Sequence, residues 1–383
     1  MTNDNHMKTT DGGPGTYFDP KGSANIVHPG PVVENPVARK TVAFLGGSIT
    51  EMDGFRPRVM AALRAKYPDV AFTEIAAGLS STCSDAAAFR MERDLLAQGT
   101  PDVLVVDEAV NDAQDGHFDR QQSVRGLEGV IRRTFAANPK AVIVIALMLN
   151  KEEYDELVAG REPFHYAVYR SVAAHYGLEV ADVGSALAAS AAKGGFDWTG
   201  YGDCHPSPAG CDFVADIVMA SLGKAFDPYA VPVAKELPEP MDKWSYCNGR
   251  ELPLEGLEAS DGWQVAAVDW NKIVGEKRDY FMGGKVLWTD RAGAVQEIPF
   301  SGRALAAFVT AGPDAGDLEI SVDGGPWTRQ RARADWPPLH YPYVQMLADG
   351  LPEGKHRVAV RTVRAVRETD GGEVLRIHRL YVN

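Results

Sequence analysis

The chain has 383 residues, 45% hydrophobic and 24% charged, a composition typical of a globular protein with two or three domains. Its formal net charge of −13 argues against a nucleic-acid surface, because phosphate binding requires clustered lysine and arginine. The longest apolar run, Ala141 to Leu149, has the length of a buried strand and falls short of the ~20 apolar residues of a membrane span. We therefore expect partners that are neither nucleic acid nor membrane.

The first 38 residues, with prolines at positions 20, 29, 31 and 36, are predicted to form an arm on the surface. Met1–Thr16 is polar and glycine-rich and lacks the apolar segment of a secretion signal. We therefore expect a cytoplasmic protein, or a secreted one if this sequence has lost its leader. The four cysteines include no Cys-x-x-Cys pair, which predicts reduced thiols rather than a zinc site or disulfides. They are Cys83, Cys204, Cys211 and Cys247.

From residue 39 to residue 225, short apolar runs alternate with segments that carry apolar residues at helical spacing. Apolar strands separated by helices predict a parallel sheet covered on both faces, that is, a doubly wound α/β domain. Ser207 and Pro208 are suited to be the N-cap and the first residue of the last helix. The predicted strands are Thr41–Leu45, Val70–Ile75, Val103–Val106, Val142–Leu147 and Leu178–Val183.

A proline-rich connector is predicted over residues 226–254, and helical periodicity largely stops after it. Leu318, Ile320 and Val322 alternate with polar residues and then meet the turn sequence Asp323-Gly324-Gly325. Similar alternation occurs near Val358 and near the C-terminus. Short alternating strands at hairpin spacing predict a β-sandwich over residues 255–383.

The first predicted strand leads into Gly46-Gly47-Ser48, which places Ser48 at the carboxyl end of the sheet, where ligands of open α/β folds bind. The segment lacks the glycine pattern of a phosphate-binding loop. It is also not a nucleophile elbow of the G-x-S-x-G type, because Thr50 stands at the second glycine. Both a catalytic serine and a simple strand-to-helix turn remain open interpretations.

Three more residues are predicted at the same edge of the sheet. In the strand order 2-1-3-4-5, Gly78 and Asn111 follow the two strands that flank the strand before Ser48, and His205 precedes the last helix. The Gly78 N–H and the Asn111 amide are suitable donors to an oxyanion, and His205 is suited to take the proton of Ser48. Each residue also has a structural interpretation, as a turn glycine, a capping asparagine and a histidine that bonds loop carbonyls. Their order along the chain favours catalysis.

These residues resemble the motifs of the SGNH or GDSL-type hydrolases. The resemblance covers about residues 40–224, roughly half of the chain. It implies a flavodoxin-like fold, ester hydrolysis through an acyl-enzyme, and no metal or other cofactor. Ala109 replaces a glycine that the family usually carries two residues before the asparagine. The residues that match the four family motifs are Ser48, Gly78, Asn111 and His205.

The acid that the family places three residues before the histidine is absent, because Gly202 occupies that position. Asp203 is the nearest substitute, and we expect it to orient His205. Other acceptors considered for the ring are a backbone carbonyl, which would give a Ser–His dyad, and Glu108 or Asp112. A further acid, Asp197, lies eight residues upstream and would need a longer loop.

Six of the seven tryptophans lie in the connector or the β half, where exposed rings can stack on sugars and buried rings fill the core. Within the resembled family, a catalytic domain joined to a β-sandwich is similar to carbohydrate acetylesterases. The expected partner is a small or oligosaccharide ester, and the oligomeric state is left open. Two rival hypotheses are an O-acyltransferase that uses the same site and a carbohydrate-binding protein with an impaired hydrolase domain.

Overall fold

The computed structural model describes residues 27–278, 283–336, 338–366 and 371–383. Most of the expected N-terminal arm, residues 1–26, lies outside the described residues. The rest of the chain folds as an α/β domain followed by a β-sandwich, as the sequence predicts.

A six-stranded sheet forms the centre of the α/β domain. Five strands are parallel, and their order β3-β2-β4-β5-β6 is the flavodoxin-like order 2-1-3-4-5 expected from the sequence, with β1 added antiparallel at the β3 edge. β4, β5 and the second half of β2 are almost entirely buried, which explains their continuous apolar sequences. The strands are β1 (Val27–Pro29), β2 (Ala38–Gly46), β3 (Val70–Gly78), β4 (Val103–Asp107), β5 (Val142–Leu147) and β6 (Glu179–Asp182).

The helices pack against this sheet in two groups, α2 with α8 and α10, and α3 with α5 and α7. Local sequence explains where several helices begin. Asp119 and Gln122 form a capping box at the N-terminus of α5. Ser207 is the N-cap of α10, and Pro208 is the first residue of that helix. No helix among the described residues has both the length and the hydropathy to cross a bilayer. The helices are α1 (Ser48–Glu51), α2 (Phe55–Lys66), α3 (Ser84–Met91), α4 (Ala109–Asn111), α5 (Arg120–Ala137), α6 (Lys151–Val158), α7 (Phe164–Tyr176), α8 (Val183–Ala191), α9 (Trp198–Tyr201) and α10 (Pro208–Ala225).

Two sheets of mainly antiparallel strands face each other in the C-terminal domain. Their inward-facing side chains form one apolar core. The first sheet has the order β8-β10-β17-β12-β15-β9 with β7 beside β17, and the second has the order β11-β16-β13-β14. The strands are β7 (Arg250–Leu252), β8 (Gln264–Ala267), β9 (Glu276–Lys277), β10 (Lys285–Thr289), β11 (Val295–Gly302), β12 (Leu305–Ala311), β13 (Asp317–Val322), β14 (Thr328–Gln330), β15 (Leu339–Ala348), β16 (Gly354–Val363) and β17 (Leu375–Val382).

The turn predicted at Asp323-Gly324-Gly325 joins β13 to β14. Asp323 and Gly324 both have positive φ, and the Gly325 N–H donates to the Val322 carbonyl. This is the type I′ geometry that suits a hairpin, because it matches the twist of the flanking strands.

Two of the expected domain boundaries need correction. The region assigned to the connector ends too late, because Arg250–Leu252 pairs with β17 and belongs to the sandwich. The region assigned to the arm contains Val27–Pro29, which pairs with β3, and Ala38, which begins β2. A strand of three residues carries too little alternation to be recognised locally, and both short strands depend on a partner that is distant in sequence.

The sandwich and the α/β domain share buried surface through β12. Leu305, Ala307 and Val309 point into the sandwich core, whereas Ala306 and Phe308 belong to the core cluster of the α/β domain. Since alternate residues of a strand point to opposite faces, β12 is buried on both sides. The two domains therefore pack through a common apolar layer.

A charged contact adds to this apolar interface. The Arg125 guanidinium of α5 donates to Asp242 of the connector at 3.0 Å and to Asp349 of the sandwich at 2.6 Å. The Tyr246 hydroxyl donates to the same Asp349 oxygen at 2.9 Å. Arg125 thus joins the helix layer, the connector and the second domain.

We expect Arg125→Ala to lower the free energy of unfolding by about 2–3 kcal/mol, because it leaves two largely buried carboxylates without their cation. Arg291→Ala is a matched control, since the Arg291–Asp261 pair is exposed and such pairs contribute at most about 1 kcal/mol. Urea denaturation of the three proteins measures the difference. Equal losses in the two variants would show that the Arg125 contact does not stabilise the junction.

Candidate active site

Ser48 lies in the turn between β2 and α1. Gly46 ends the strand, and the Gly47 N–H donates to the Asp107 carbonyl at 3.3 Å, which ties the turn to the neighbouring strand. Ser48 is the first residue of α1 and is half-buried. The turn therefore presents the serine hydroxyl at the carboxyl edge of the sheet.

His205 approaches Ser48 from the loop between α9 and α10. Its Nε2 atom is 2.8 Å from the Ser48 Oγ, a distance at which the hydroxyl can donate to the ring. Burial lowers the pKa of His205 below its ordinary value, although the residue as a whole remains exposed. A neutral imidazole in contact with a serine hydroxyl is the arrangement that general-base activation requires.

Asn111 and Gly78 both contact the turn that carries Ser48. A side chain at Gly47 would overlap the Asn111 carboxamide, and a side chain at Gly78 would overlap the backbone of Glu51 in α1. Glycine at both positions allows the flanking strands to approach the turn this closely. The structure therefore brings Ser48, His205, Asn111 and Gly78 to one edge of the sheet.

Asp203 is close to His205, but no hydrogen bond joins the two side chains within the described part of the chain. Its Oδ1 accepts from the Cys204 N–H at 2.7 Å, and its negative charge raises the pKa of His205 against the effect of burial. Gly202 adopts a φ of +111°, a conformation that suits glycine and explains why no acid stands at this position of the loop.

The other acids considered for the triad lie elsewhere. Asp112 is buried and accepts hydrogen bonds from Ser84 and Tyr169. Glu108 is buried as well, with the Arg90 guanidinium 3.9 Å from its carboxylate. Asp197 caps α9 by accepting from the N–H groups of residues 199 and 200. Each of the three acids therefore has a structural partner of its own.

A layer of buried acids lies beneath the catalytic turn. Burial raises the pKa of Asp107 to about 7, with a hydrogen bond from the Thr50 hydroxyl acting in the opposite direction. Burial likewise raises the pKa of Glu108, and the charge of Arg90 opposes this. The Arg90 Nη2 also donates to the Gly46 carbonyl at 3.1 Å. Arg90 thus links the buried acids to the end of β2.

The sandwich contributes three residues to the surroundings of the site. The sequence placed Trp336 among the tryptophans that could stack on sugars, but it did not identify Arg333 or Arg278. Arg333 donates to the Gly116 carbonyl at 2.9 Å, at the end of the helical segment that follows Asn111. Trp336 is 47% exposed, and its side chain acts to lower the pKa of Asp115 against the effect of burial. Arg278 lies close enough to His205 for its charge to lower the pKa of the ring. Only the packing of the two domains reveals these contacts.

Residues 44–213 match the model of the GDSL-like lipase/acylhydrolase family. This range contains all four residues that carry the motif resemblance. This match confirms, for the α/β domain, the resemblance to the GDSL-type hydrolases, and it supports a carboxylic ester hydrolase. No curated protein sequence matches the chain.

Solved structures resemble the chain in both domains. A two-domain esterase active on acetylated mannans, co-crystallized with mannopentaose, has a TM-score of 0.71 and 21% identity, and the match covers 90% of each chain. A second structure of a two-domain esterase active on acetylated mannans has a TM-score of 0.69 and 20% identity, over 90% of this chain and 91% of that one. An acetylxylan esterase from Geobacillus stearothermophilus has a TM-score of 0.39 and 18% identity, over 50% of this chain and 97% of that one. The first two similarities show that the fold extends over both domains.

We expect Asp203→Asn and Arg278→Gln to move the pH dependence of activity in opposite directions. The active form of a general base is the neutral ring, so kcat/KM rises as pH rises through the pKa of His205. Removing the Asp203 charge lowers this pKa and moves the acid limb to lower pH, whereas removing the Arg278 charge moves it to higher pH. Profiles of kcat/KM with 4-nitrophenyl acetate measure both shifts. Shifts in the same direction would contradict the electrostatic account.

Proposed function

We propose that the protein hydrolyses short acyl esters, chiefly O-acetyl groups on carbohydrates, through an acyl-enzyme on Ser48. The observation that carries the proposal is the 2.8 Å contact between the Ser48 Oγ and the His205 Nε2 at the carboxyl edge of the sheet. An unactivated serine hydroxyl is a poor nucleophile at neutral pH, and this contact supplies the base that it needs.

In the proposed mechanism, His205 takes the Ser48 proton while the serine oxygen forms a bond to the ester carbonyl carbon. The resulting tetrahedral oxyanion collapses, the carbon–oxygen bond to the sugar breaks, and the imidazolium gives its proton to the leaving sugar oxygen. Water then gives a proton to His205 and attacks the acyl-enzyme. Collapse of the second tetrahedral intermediate releases the carboxylic acid, and His205 returns its proton to Ser48.

The proposed oxyanion hole consists of the Ser48 N–H, the Gly78 N–H and the Asn111 amide. The Ser48 N–H lies in the first turn of α1, and Gly78 and Asn111 come from the strand and helix on either side of it. The contacts of Gly47 with Asn111 and of Gly78 with α1 support a fixed arrangement of these donors. Fixed donors aimed at developing charge are the main source of stabilisation in acyl transfer.

The negative charge of Asp203 completes the proposed machinery. It lies near His205 and favours the imidazolium that forms as the serine loses its proton. Because the Asp203 Oδ1 accepts from a backbone N–H, the carboxylate is held in place while acting on the ring electrostatically. We therefore assign catalysis to a Ser48–His205 pair with Asp203 as its supporting acid.

Two observations support a carbohydrate ester as the substrate. The indole ring of Trp336 is half-exposed beside the helical segment of Asn111, and such rings stack on the apolar faces of sugars. The two-domain esterase active on acetylated mannans has the same fold over both domains. The exposure of His205 also favours water over a sugar hydroxyl as the acyl acceptor, and so hydrolysis over acyl transfer.

We expect Ser48→Ala and His205→Ala each to lower kcat for 4-nitrophenyl acetate by at least ~10³-fold, because nucleophile and base act as a unit. A serine-directed phosphonate should label the wild-type chain at Ser48 and leave Ser48→Ala unlabelled, as mass spectrometry of the peptide would show. Full activity in Ser48→Ala would overturn the proposed nucleophile.

We expect Trp336→Ala to lower kcat/KM for acetylated manno-oligosaccharides by about three- to tenfold more than for 4-nitrophenyl acetate, since only the sugar substrate stacks on the ring. Trp327→Ala is the matched control. Trp327 is also on the sandwich and 39% exposed, but its ring packs on Arg361. An unchanged substrate ratio in Trp336→Ala would contradict the assigned sugar contact.

A further inference from the structure

The Asn111 side chain is held by a second residue that no motif identifies. Its Nδ2 atom donates to the Asp115 Oδ2 at 2.7 Å. Asp115 is one turn further along the same helical segment, and only 2% of Asn111 and 7% of Asp115 are exposed. A buried charge-assisted hydrogen bond of this length constrains both side chains strongly.

The bond to Asp115 determines which way the Asn111 amide faces. An ionised carboxylate only accepts hydrogen bonds, so the NH₂ end of the amide must face it. On its other side the amide lies against Gly47, where there is no room for it to move away. A flipped amide would present an oxygen where a donor is needed, and an oxygen would repel the oxyanion. The orientation of Asn111 therefore depends on Asp115.

The segment of Asp115 is in turn held from both domains. Gln114 donates to the Asp115 Oδ2 at 3.3 Å. Burial raises the pKa of Asp115, and the three donors Asn111, Gln114 and Trp336 oppose that rise. Arg333 binds the Gly116 carbonyl at 2.9 Å, so the sandwich loop is attached to the residue next to Asp115.

We propose that Asp115 is a positioning residue that fixes the Asn111 amide as an oxyanion donor, and that the sandwich, through the hydrogen bond from Arg333 to Gly116, holds the segment of Asp115 in place. The inference rests on the proposed function, because it assumes that Asn111 stabilises the oxyanion. It gives the sandwich a role in turnover even for a substrate too small to reach Trp336.

The first test uses 4-nitrophenyl acetate and two substitutions of Asp115. Asp115→Ala should lower kcat about tenfold or more, up to the ~10²–10³-fold loss typical of a lost oxyanion donor, with KM changed less than twofold. Asp115→Asn keeps an acceptor oxygen and should retain at least about tenfold more kcat than Asp115→Ala. Asp216→Ala removes an exposed carboxylate from α10 and should leave kcat unchanged. Wild-type kcat in folded Asp115→Ala would overturn the proposal.

A double-mutant cycle separates positioning from general destabilisation. If Asp115 acts through Asn111, Asp115→Ala should cost nothing further in an Asn111→Ala background, whereas independent effects would multiply. If the losses of kcat in the two single variants multiply in the double variant, the proposal is overturned, even if Asp115→Ala alone has a low kcat. Thermal melting of each variant shows whether the protein is folded, and the conservative Asp115→Asn provides the comparison if Asp115→Ala is not.

The part played by the sandwich is tested with Arg333→Met, which keeps most of the side-chain length and removes the donor to Gly116. Loss of this hydrogen bond should lower kcat for 4-nitrophenyl acetate about two- to tenfold. Wild-type kcat in folded Arg333→Met would overturn the link to the sandwich. Ser48→Ala distinguishes the two levels: if it remains active the proposed function fails, and if only the Asp115 and Arg333 variants match the wild type the inference alone fails.

Discussion

The position of Ser48 depends on the close approach of three strand ends at the carboxyl edge of the sheet. Gly46 of β2 lies in register with Gly78 of β3 on one side and with the end of β4 on the other. Side chains at Gly47 or Gly78 would overlap Asn111 or α1. Because these positions carry only hydrogen, the serine turn lies directly against both neighbouring strands. The relative placement of Ser48, Gly78 and Asn111 follows from this packing.

Buried charge supports the turn at a cost in stability. Arg90 binds the Gly46 carbonyl and is the cation between Asp94 and Glu108, so its loss would leave two buried acids facing a strand end. Burial raises the pKa of Asp107 from 3.8 to about 7, which means that the folded state holds a proton more tightly than the unfolded state. The free energy of unfolding therefore falls as pH rises through that window. The extensive apolar core around β2, β4 and β5 offsets this cost.

Much of the α/β domain could be predicted from the sequence because its strands and helix ends are marked by residues that are neighbours in the chain. A parallel strand buried on both faces shows as a continuous apolar run, and the cap of α10 shows as Ser207 followed by Pro208. Ser48 and His205 could be proposed as a pair because each stands beside such an element, and the structure places them in contact. Arg278 could not, because it approaches His205 only through the packing of the second domain, and Asp115 could not, because no motif marks its hydrogen bond to Asn111. The apolar run of β12 did carry some information, since a sandwich strand without alternation must be covered on both faces.

That two-sided burial of β12 fixes the second domain against the domain that carries Ser48. Ala306 and Phe308 pack into the α/β core, while Leu305 and Ala307 pack into the sandwich core. A sliding or hinge motion between the domains would open one of these cores, and the contact of Arg125 with Asp349 would break as well. Protein interiors tolerate such gaps poorly, because close-packed side chains lose their contacts when separated by a fraction of their own size. The sandwich is consequently fixed relative to the serine turn, and a hydrogen bond from its loops, such as that from Arg333 to Gly116, can hold its partner as accurately as bonds within the α/β domain.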